Sequence, residues 1–178
     1  TVIDNSSVFR MAEDVPLVVP EVNSECIFNN KGVIANPNCS TIQAVLPLKP
    51  LDDNYKIKRI IYSTYQAVSG AGRLGIEDLE KKSNNDNLQK FSYSIYNNCI
   101  PHIDDFTQDG YTKEEHKMIN ETRKILNKPH LPITATAVRV PVVNCHGESI
   151  NVEFEEDFDI YDIKVMLQNF PGIIVVDD

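Results

Sequence analysis

NPNCST, residues Asn36 to Thr41, follows the apolar run Gly32-Val33-Ile34-Ala35 and leads into the apolar-periodic stretch TIQAVLPL. The run reads as a short strand, Asn-Pro-Asn as a turn, and Cys39 onward as the start of a helix. Cys39 therefore lies in the first turn of that helix. Unsatisfied N–H groups and the positive end of the helix dipole favour a thiolate there, and the thiolate is the nucleophilic form. A buried, inert cysteine would suit the same position.

Before this stretch, TVIDNSS reads as a strand and Val15 to Val19 as another short β run. Arg10 follows the turn-like Asp4-Asn5-Ser6-Ser7, on a loop near strand ends where ligands gather in α/β sheets, or as an ordinary surface arginine. After it, the helix from Thr41 is expected to run toward Leu48 and to break at Pro47 and Pro50. Lys56 to Tyr65 is β-rich and enters Gln66-Ala67-Val68-Ser69-Gly70-Ala71-Gly72.

Gly70, Gly72 and Gly75 spell GxGxxG between a strand and the helix-like IEDLEKK. A dinucleotide fingerprint also needs an acidic residue ending a second strand about twenty residues on. That position falls in Asn84-Asn85-Asp86-Asn87, a polar stretch. The glycines are better explained as letting a loop pass close to a cofactor.

Residues 82–110 read as loop with one β piece at Phe91 to Tyr96. Thr112 and Glu115 make a capping box for a helix through Leu126, on which Glu114 and Lys117 share a face and suit a solvated ion pair. Ile133 to Val143 is a long β stretch that places Arg139 opposite its flanking valines, either exposed or gripping an anion bidentately. His146 follows in a turn, where a histidine is commonly a surface residue. Ile150 to Phe154 alternates and is expected to pair antiparallel with the preceding strand across that turn. A short helix over Asp162 to Phe170 and a strand over Ile173 to Val176 complete the reading.

With 178 residues, 42% of them hydrophobic and 24% charged, a packed core is expected. A net charge of −9 and scattered Lys and Arg argue against nucleic acid or anionic membrane as partner. No run is apolar enough for a membrane span. The four cysteines, Cys26, Cys39, Cys99 and Cys145, form no CxxC pair, so neither a metal ribbon nor a disulfide framework is expected, and a reducing, cytoplasmic setting fits.

NPNCST, YQAVSGAG (Tyr65 to Gly72) and RVPVVNCHGES (Arg139 to Ser149) stand in one order that resembles bacterial-type aspartate-semialdehyde dehydrogenase. DNSSVFR (Asp4 to Arg10), PEVN (Pro20 to Asn23), DGYTKEEHKMINETRKIL (Asp109 to Leu126), INVEFE (Ile150 to Glu155) and PGIIVVDD (Pro171 to Asp178) extend the resemblance over nearly the whole chain. HGES stands where the family pattern suggests HSES.

The resemblance implies NADP-dependent, phosphate-dependent interconversion of aspartate semialdehyde and aspartyl phosphate through a cysteine thioester, on the way to lysine, threonine and methionine. It makes Cys39 the nucleophile, His146 the acid/base and Gln66 an orienting group. By the same likeness Arg139 would hold the substrate carboxylate and Glu114 its amino group. Lys117, Arg10 and Asn38 would serve the phosphate, and Ser69, Gly70 and Gly72 would lie beside the nicotinamide. No metal is implied, and a homodimer or dimer of dimers is.

The expected fold is α+β: a mixed, largely antiparallel sheet with helices on one side, of the glyceraldehyde-3-phosphate-dehydrogenase type, preceded by the last strands of a Rossmann-type sheet. Residues 1–38 would be the tail of a nucleotide-binding domain and 39–178 an incomplete catalytic and dimerisation domain. Such a segment is expected to bind NADP poorly and to be inactive alone. Two other readings stand beside this one. N-acetyl-glutamyl-phosphate reductase shares the chemistry, but its acylated nitrogen gives Glu114 nothing to pair with. A non-catalytic dimerisation module would leave Cys39 a relic.

Overall fold

Short parallel strands open the chain: β1, Val2–Asp4, pairs with β2, Val33–Ala35, with Val2 opposite Val33 and Asp4 opposite Ala35. The computed structural model describes residues 1–82 and 87–177, so positions 84–86 of the polar stretch Asn84-Asn85-Asp86-Asn87 lie outside the described residues. Val15 to Val19 does not form the strand expected of it. It contributes a single parallel bridge, Leu17 to Ala35, because Pro16 has no N–H and Pro20 already starts helix α1, Pro20–Asn23. Asn23 closes the segment, accepting from Val19 N–H at 2.9 Å and donating to the Leu17 carbonyl at 2.9 Å.

Helix α2 runs unbroken over Cys39–Tyr55 with Pro47 and Pro50 inside it. The expected break does not occur. Each proline removes one intrahelical bond, but Ala44, Val45, Leu48 and Leu51 are buried on one face, and such burial stabilises by about 1.5–3 kcal/mol for each large aliphatic side chain. Val45 joins Val15, Leu17, Val19, Val22, Ala35 and Ile125 in one apolar cluster.

Strand β3, Ile57–Gln66, leads through a 3-10 turn at Val68–Ala71 to helix α3, Arg73–Glu80. Phe91 to Tyr96 is irregular rather than a strand. It follows residues held by Asp78, whose buried carboxylate accepts from the backbone N–H groups of Gln89, Lys90 and Phe91. Helix α4, Lys113–Ile125, begins at the capping box read from the sequence: Thr112 N–H donates to Glu115 at 2.7 Å, and Glu115 N–H to Thr112 Oγ1 at 3.3 Å.

Strand β4, Ile133–Arg139, is shorter than expected and stops two residues before Pro141. Strand β5 covers Gly147–Phe154, and the order is β4-β3-β5. The expected hairpin between the last two strands is therefore wrong, since β3 lies between them. Thr64 and Gln66 meet Thr136 and Val140 in ascending order, which is a parallel register. Lys56 and Lys58 meet Glu156 and Glu153 in descending order, which is antiparallel. The sheet is mixed, as expected. Helix α5, Ile160–Asn169, starts earlier than expected because Asp159 caps the N–H groups of Tyr161 and Asp162. Ile173 to Val176 is unpaired among the described residues and forms no strand.

Contacts divide the chain into two compact units, the first Thr1–Ile61, Lys117–Ile133 and Asn151–Asp178, the second Tyr62–His116 and Thr134–Ile150. Among the described residues no helix is long and apolar enough to cross a membrane.

Candidate active site

In the first unit the helix that begins at Cys39 is capped by Asn38, whose side-chain oxygen accepts from Ser40 N–H at 2.9 Å and Thr41 N–H at 3.3 Å. That bonding fixes the first turn of α2 and with it the direction of the cysteine. Cys39 is exposed, so the buried-cysteine reading does not hold.

Asn38 is anchored in turn. Its N–H donates to Glu121 Oε2 at 2.6 Å, and the other oxygen of that carboxylate accepts from Arg10 Nη1 at 3.1 Å. Arg10 Nη2 donates to the Asn5 carbonyl at 3.0 Å. Arg10 is 8% exposed and Glu121 2%, so Arg10 is not a surface arginine. The loop after Arg10 is tied down by Lys124, whose ammonium donates to the carbonyls of Arg10, Ala12 and Val15 at 2.7–2.8 Å. Burial holds the Lys124 ammonium below its ordinary pKa, with Asp14 opposing. Lys117 also belongs to this unit, half-buried on α4.

The second unit gathers Gln66, Ser69, Gly70, Gly72, Glu114, Arg139 and His146. Gln66 ends β3 fully buried, and its amide donates to Glu114 Oε1 at 3.2 Å and Thr64 Oγ1 at 3.3 Å. Glu114 and Arg139 are each 5% exposed. Arg139 shares its strand face with buried Ala135 and Ala137, in line with the alternation, and its Nη1 donates to the Ala67 carbonyl at 2.7 Å. Ala67 N–H donates to His146 Nδ1 at 3.0 Å. A neutral His146 bonded in this way carries its proton on Nε2.

His146 is half-buried. Burial first, then the Arg139 charge, depresses its pKa below the ordinary 6.5, so the ring is neutral at neutral pH. Both groups lie over Gly70: a Cβ there would stand 3.0 Å from Arg139 Nη1 and 3.3 Å from His146 Cε1. Gly72 has φ of +79°, a left-handed conformation that glycine adopts without strain, and among the described residues nothing lies within 4 Å of where its Cβ would be. Gly75 serves packing instead, since a Cβ would meet the Val68 carbonyl at 2.8 Å.

The structure thus joins Arg10 with Asn38, Gln66 with Glu114, and Arg139 with His146 and Gly70, while Cys39 and His146 fall in different units. Sequence reasoning missed two participants. Glu121 links Arg10 to Asn38, and the Ala67 peptide groups hold Arg139 and His146. The signal for Glu121 in the sequence was an acidic residue set just before the basic last turn of its helix, Arg123 and Lys124.

The family model described as semialdehyde dehydrogenase, dimerisation domain, matches residues 48–178, and that described as semialdehyde dehydrogenase, NAD binding domain, matches 1–30. The chain is 52% identical to aspartate-semialdehyde dehydrogenase of Aquifex aeolicus, over 99% of this chain and 55% of the relative. Aspartate semialdehyde dehydrogenase II of Vibrio cholerae complexed with ASA has the same fold at TM-score 0.92 and 47% identity, covering 96% of this chain and 53% of that one. The enzyme of Candida albicans with NADP gives TM-score 0.68 at 27% identity, over 94% and 48%. The chain therefore spans about half the length of the relatives it matches.

Proposed function

We propose, for a chain that belongs to the semialdehyde dehydrogenase family, that the whole protein interconverts L-aspartate 4-semialdehyde and L-4-aspartyl phosphate with NADP, through a thioester on Cys39. The observation that carries this reading is an exposed cysteine at the first position of a side-chain-capped helix, in a chain whose second unit holds a buried carboxylate and guanidinium, Glu114 and Arg139. In the same proposal residues 1–38 close a nucleotide-binding domain, residues 39–178 belong to a catalytic and dimerisation domain, and the protein is a cytoplasmic homodimer.

Glu114 pairs with the substrate ammonium and Arg139 with its carboxylate, which orients the aldehyde before any bond is made. The Cys39 thiolate, favoured by the helix terminus, adds to the aldehyde carbon. His146 Nε2–H donates to the oxygen that becomes negative, and Gln66 orients the same group. Once that carbon is oxidised it is held as a thioester. A phosphate oxygen then attacks the carbonyl, the C–S bond breaks, and the thiolate returns with the acyl phosphate released. Arg10, Asn38 and Lys117 serve the phosphate.

A nicotinamide cofactor would supply hydride acceptance in this direction. The turn Ser69 to Gly72 would hold it: Gly70 and Gly72 are exposed, and among the described residues nothing lies within 4 Å of where a Gly72 Cβ would stand, so the backbone there is open to a flat ring.

The test is phosphate-dependent NADP reduction by the whole protein, with aspartate semialdehyde and with N-acetylglutamate semialdehyde. Turnover of the first alone, lowered at least about a thousandfold by Cys39→Ala, is expected. Turnover of the N-acetyl substrate alone, or of neither, would sink the proposal.

A further inference from the structure

Glu115 stands beside Glu114 but points elsewhere. One carboxylate oxygen accepts the Thr112 N–H at 2.7 Å, the capping contact that its place in the sequence announces. The other accepts the Ala137 N–H at 3.0 Å, in the middle of β4. That second bond is not capping. In the order β4-β3-β5, β4 has β3 on one side only, and on the other its N–H groups need acceptors. Arg139 N–H finds the Ile100 carbonyl at 2.8 Å, and two residues earlier Ala137 N–H finds Glu115. A side chain on a helix thus does the work of a neighbouring strand.

The consequence concerns what flanks the bridge. Glu114 precedes Glu115 on the helix, and Arg139 follows Ala137 by two on the strand, on the same face. Glu115 is 8% exposed, so water competes little for these bonds, and charge-assisted bonds to a carboxylate are stronger than neutral ones. Gln66 holds the Glu114 carboxylate and Ala67 the Arg139 guanidinium, but neither ties helix to strand edge as Glu115 does.

We infer that Glu115 is a positioning residue, whose carboxylate, bridging the backbone of Thr112 and Ala137, sets the separation of Glu114 and Arg139 and so the seat of the substrate's α-ammonium and α-carboxylate. This rests on the substrate roles proposed above for Glu114 and Arg139. An amide cannot replace the carboxylate, because its NH2 would face one of the two N–H donors. A pure helix cap would tolerate that change with a loss of stability only.

The experiment compares Glu115→Gln and Thr112→Val with the native whole protein, reading KM for aspartate semialdehyde, KM for phosphate, kcat and the melting temperature. Thr112→Val removes the hydroxyl half of the capping box and leaves the Thr112 N–H and the Ala137 bridge in place. Glu115→Gln is expected to raise KM for the aldehyde about ten- to hundredfold while KM for phosphate stays within about twofold. Thr112→Val is expected to lower the melting temperature with both KM values unchanged. Equal rises in both KM values, or a lowered melting temperature with neither KM moved in Glu115→Gln, would overturn the inference while leaving the functional reading intact. A native protein that does not turn over the aldehyde would overturn that reading and the inference with it.

Discussion

Glu121→Leu is the most informative single substitution. It is nearly isosteric but removes both acceptors at once, one from Arg10 and one from the Asn38 N–H. The Arg10 and Glu121 side chains are 10% and 2% exposed, so neither is rehydrated when its partner leaves. Among the described residues Arg10 Nε is already buried without an acceptor, and loss of Glu121 would leave the guanidinium its bond to the Asn5 carbonyl. Breaking a buried pair from one side costs about 3–5 kcal/mol. At about 2–4 °C per kcal/mol for a cooperative unit of about 150–250 residues, the melting temperature of the transition that includes this pair should fall by roughly 6–20 °C.

Calorimetric melting of the native whole protein, Glu121→Leu, Arg10→Met and the double variant separates the pair from the general loss of contacts. Replacing both partners by apolar side chains removes the stranded charge, so the double variant should recover about half or more of what Glu121→Leu loses. Additive losses in the cycle, or a Glu121→Leu protein melting within about 2 °C of native, would refute the reasoning.

Gly70→Ala should retain the fold and lower kcat/KM about ten- to a hundredfold, because its Cβ would stand 3.0 Å from Arg139 Nη1, which the Ala67 bond does not let retreat; unchanged kinetics would refute this. His146 should titrate below 6.5 by NMR of its ring protons, and Arg139→Gln should raise its pKa, since a neighbouring positive charge is removed; a fall would contradict the assignment. As pH drops below 6.5 the unfolded chain takes up this proton before the folded one does, so the ring's contribution to stability is present above that pH and is lost down to the folded pKa; His146→Gln should flatten that slope.

What was legible in the sequence was local. Cys39 at a helix start needed only a strand, an Asn-Pro-Asn turn and a periodic run. The Thr112 and Glu115 box needed only its spacing. Prolines misled because Pro47 and Pro50 each cost one bond, and the sequence does not show the buried face that offsets it. Glu115 was half legible: its bond to Thr112 is three residues long, its bond to Ala137 twenty-two. Glu121 was illegible, because its partners lie 83 and 111 residues away.

The error over the last two strands has the largest consequence. A direct hairpin would have set β5 along the outer edge of β4, with His146 in a turn remote from β3. Instead residues 140–146 pass over the end of β3. Val140 N–H bonds the Gln66 carbonyl, and the carbonyls of Val142 and Val143 accept from Val68 and Ser69 N–H. Those bonds bring His146 to Ala67 N–H, one residue past the strand, while Arg139 reaches the carbonyl of the same residue from the end of β4. One residue thus sets both the tautomer of the proposed proton donor and the direction of the proposed carboxylate clamp. At Gly70, three residues on, both side chains converge where a Cβ would stand, 3.0 Å from Arg139 Nη1 and 3.3 Å from His146 Cε1, so a larger residue there would displace them. The crossover that sequence periodicity could not reveal is what brings these residues of the second unit together.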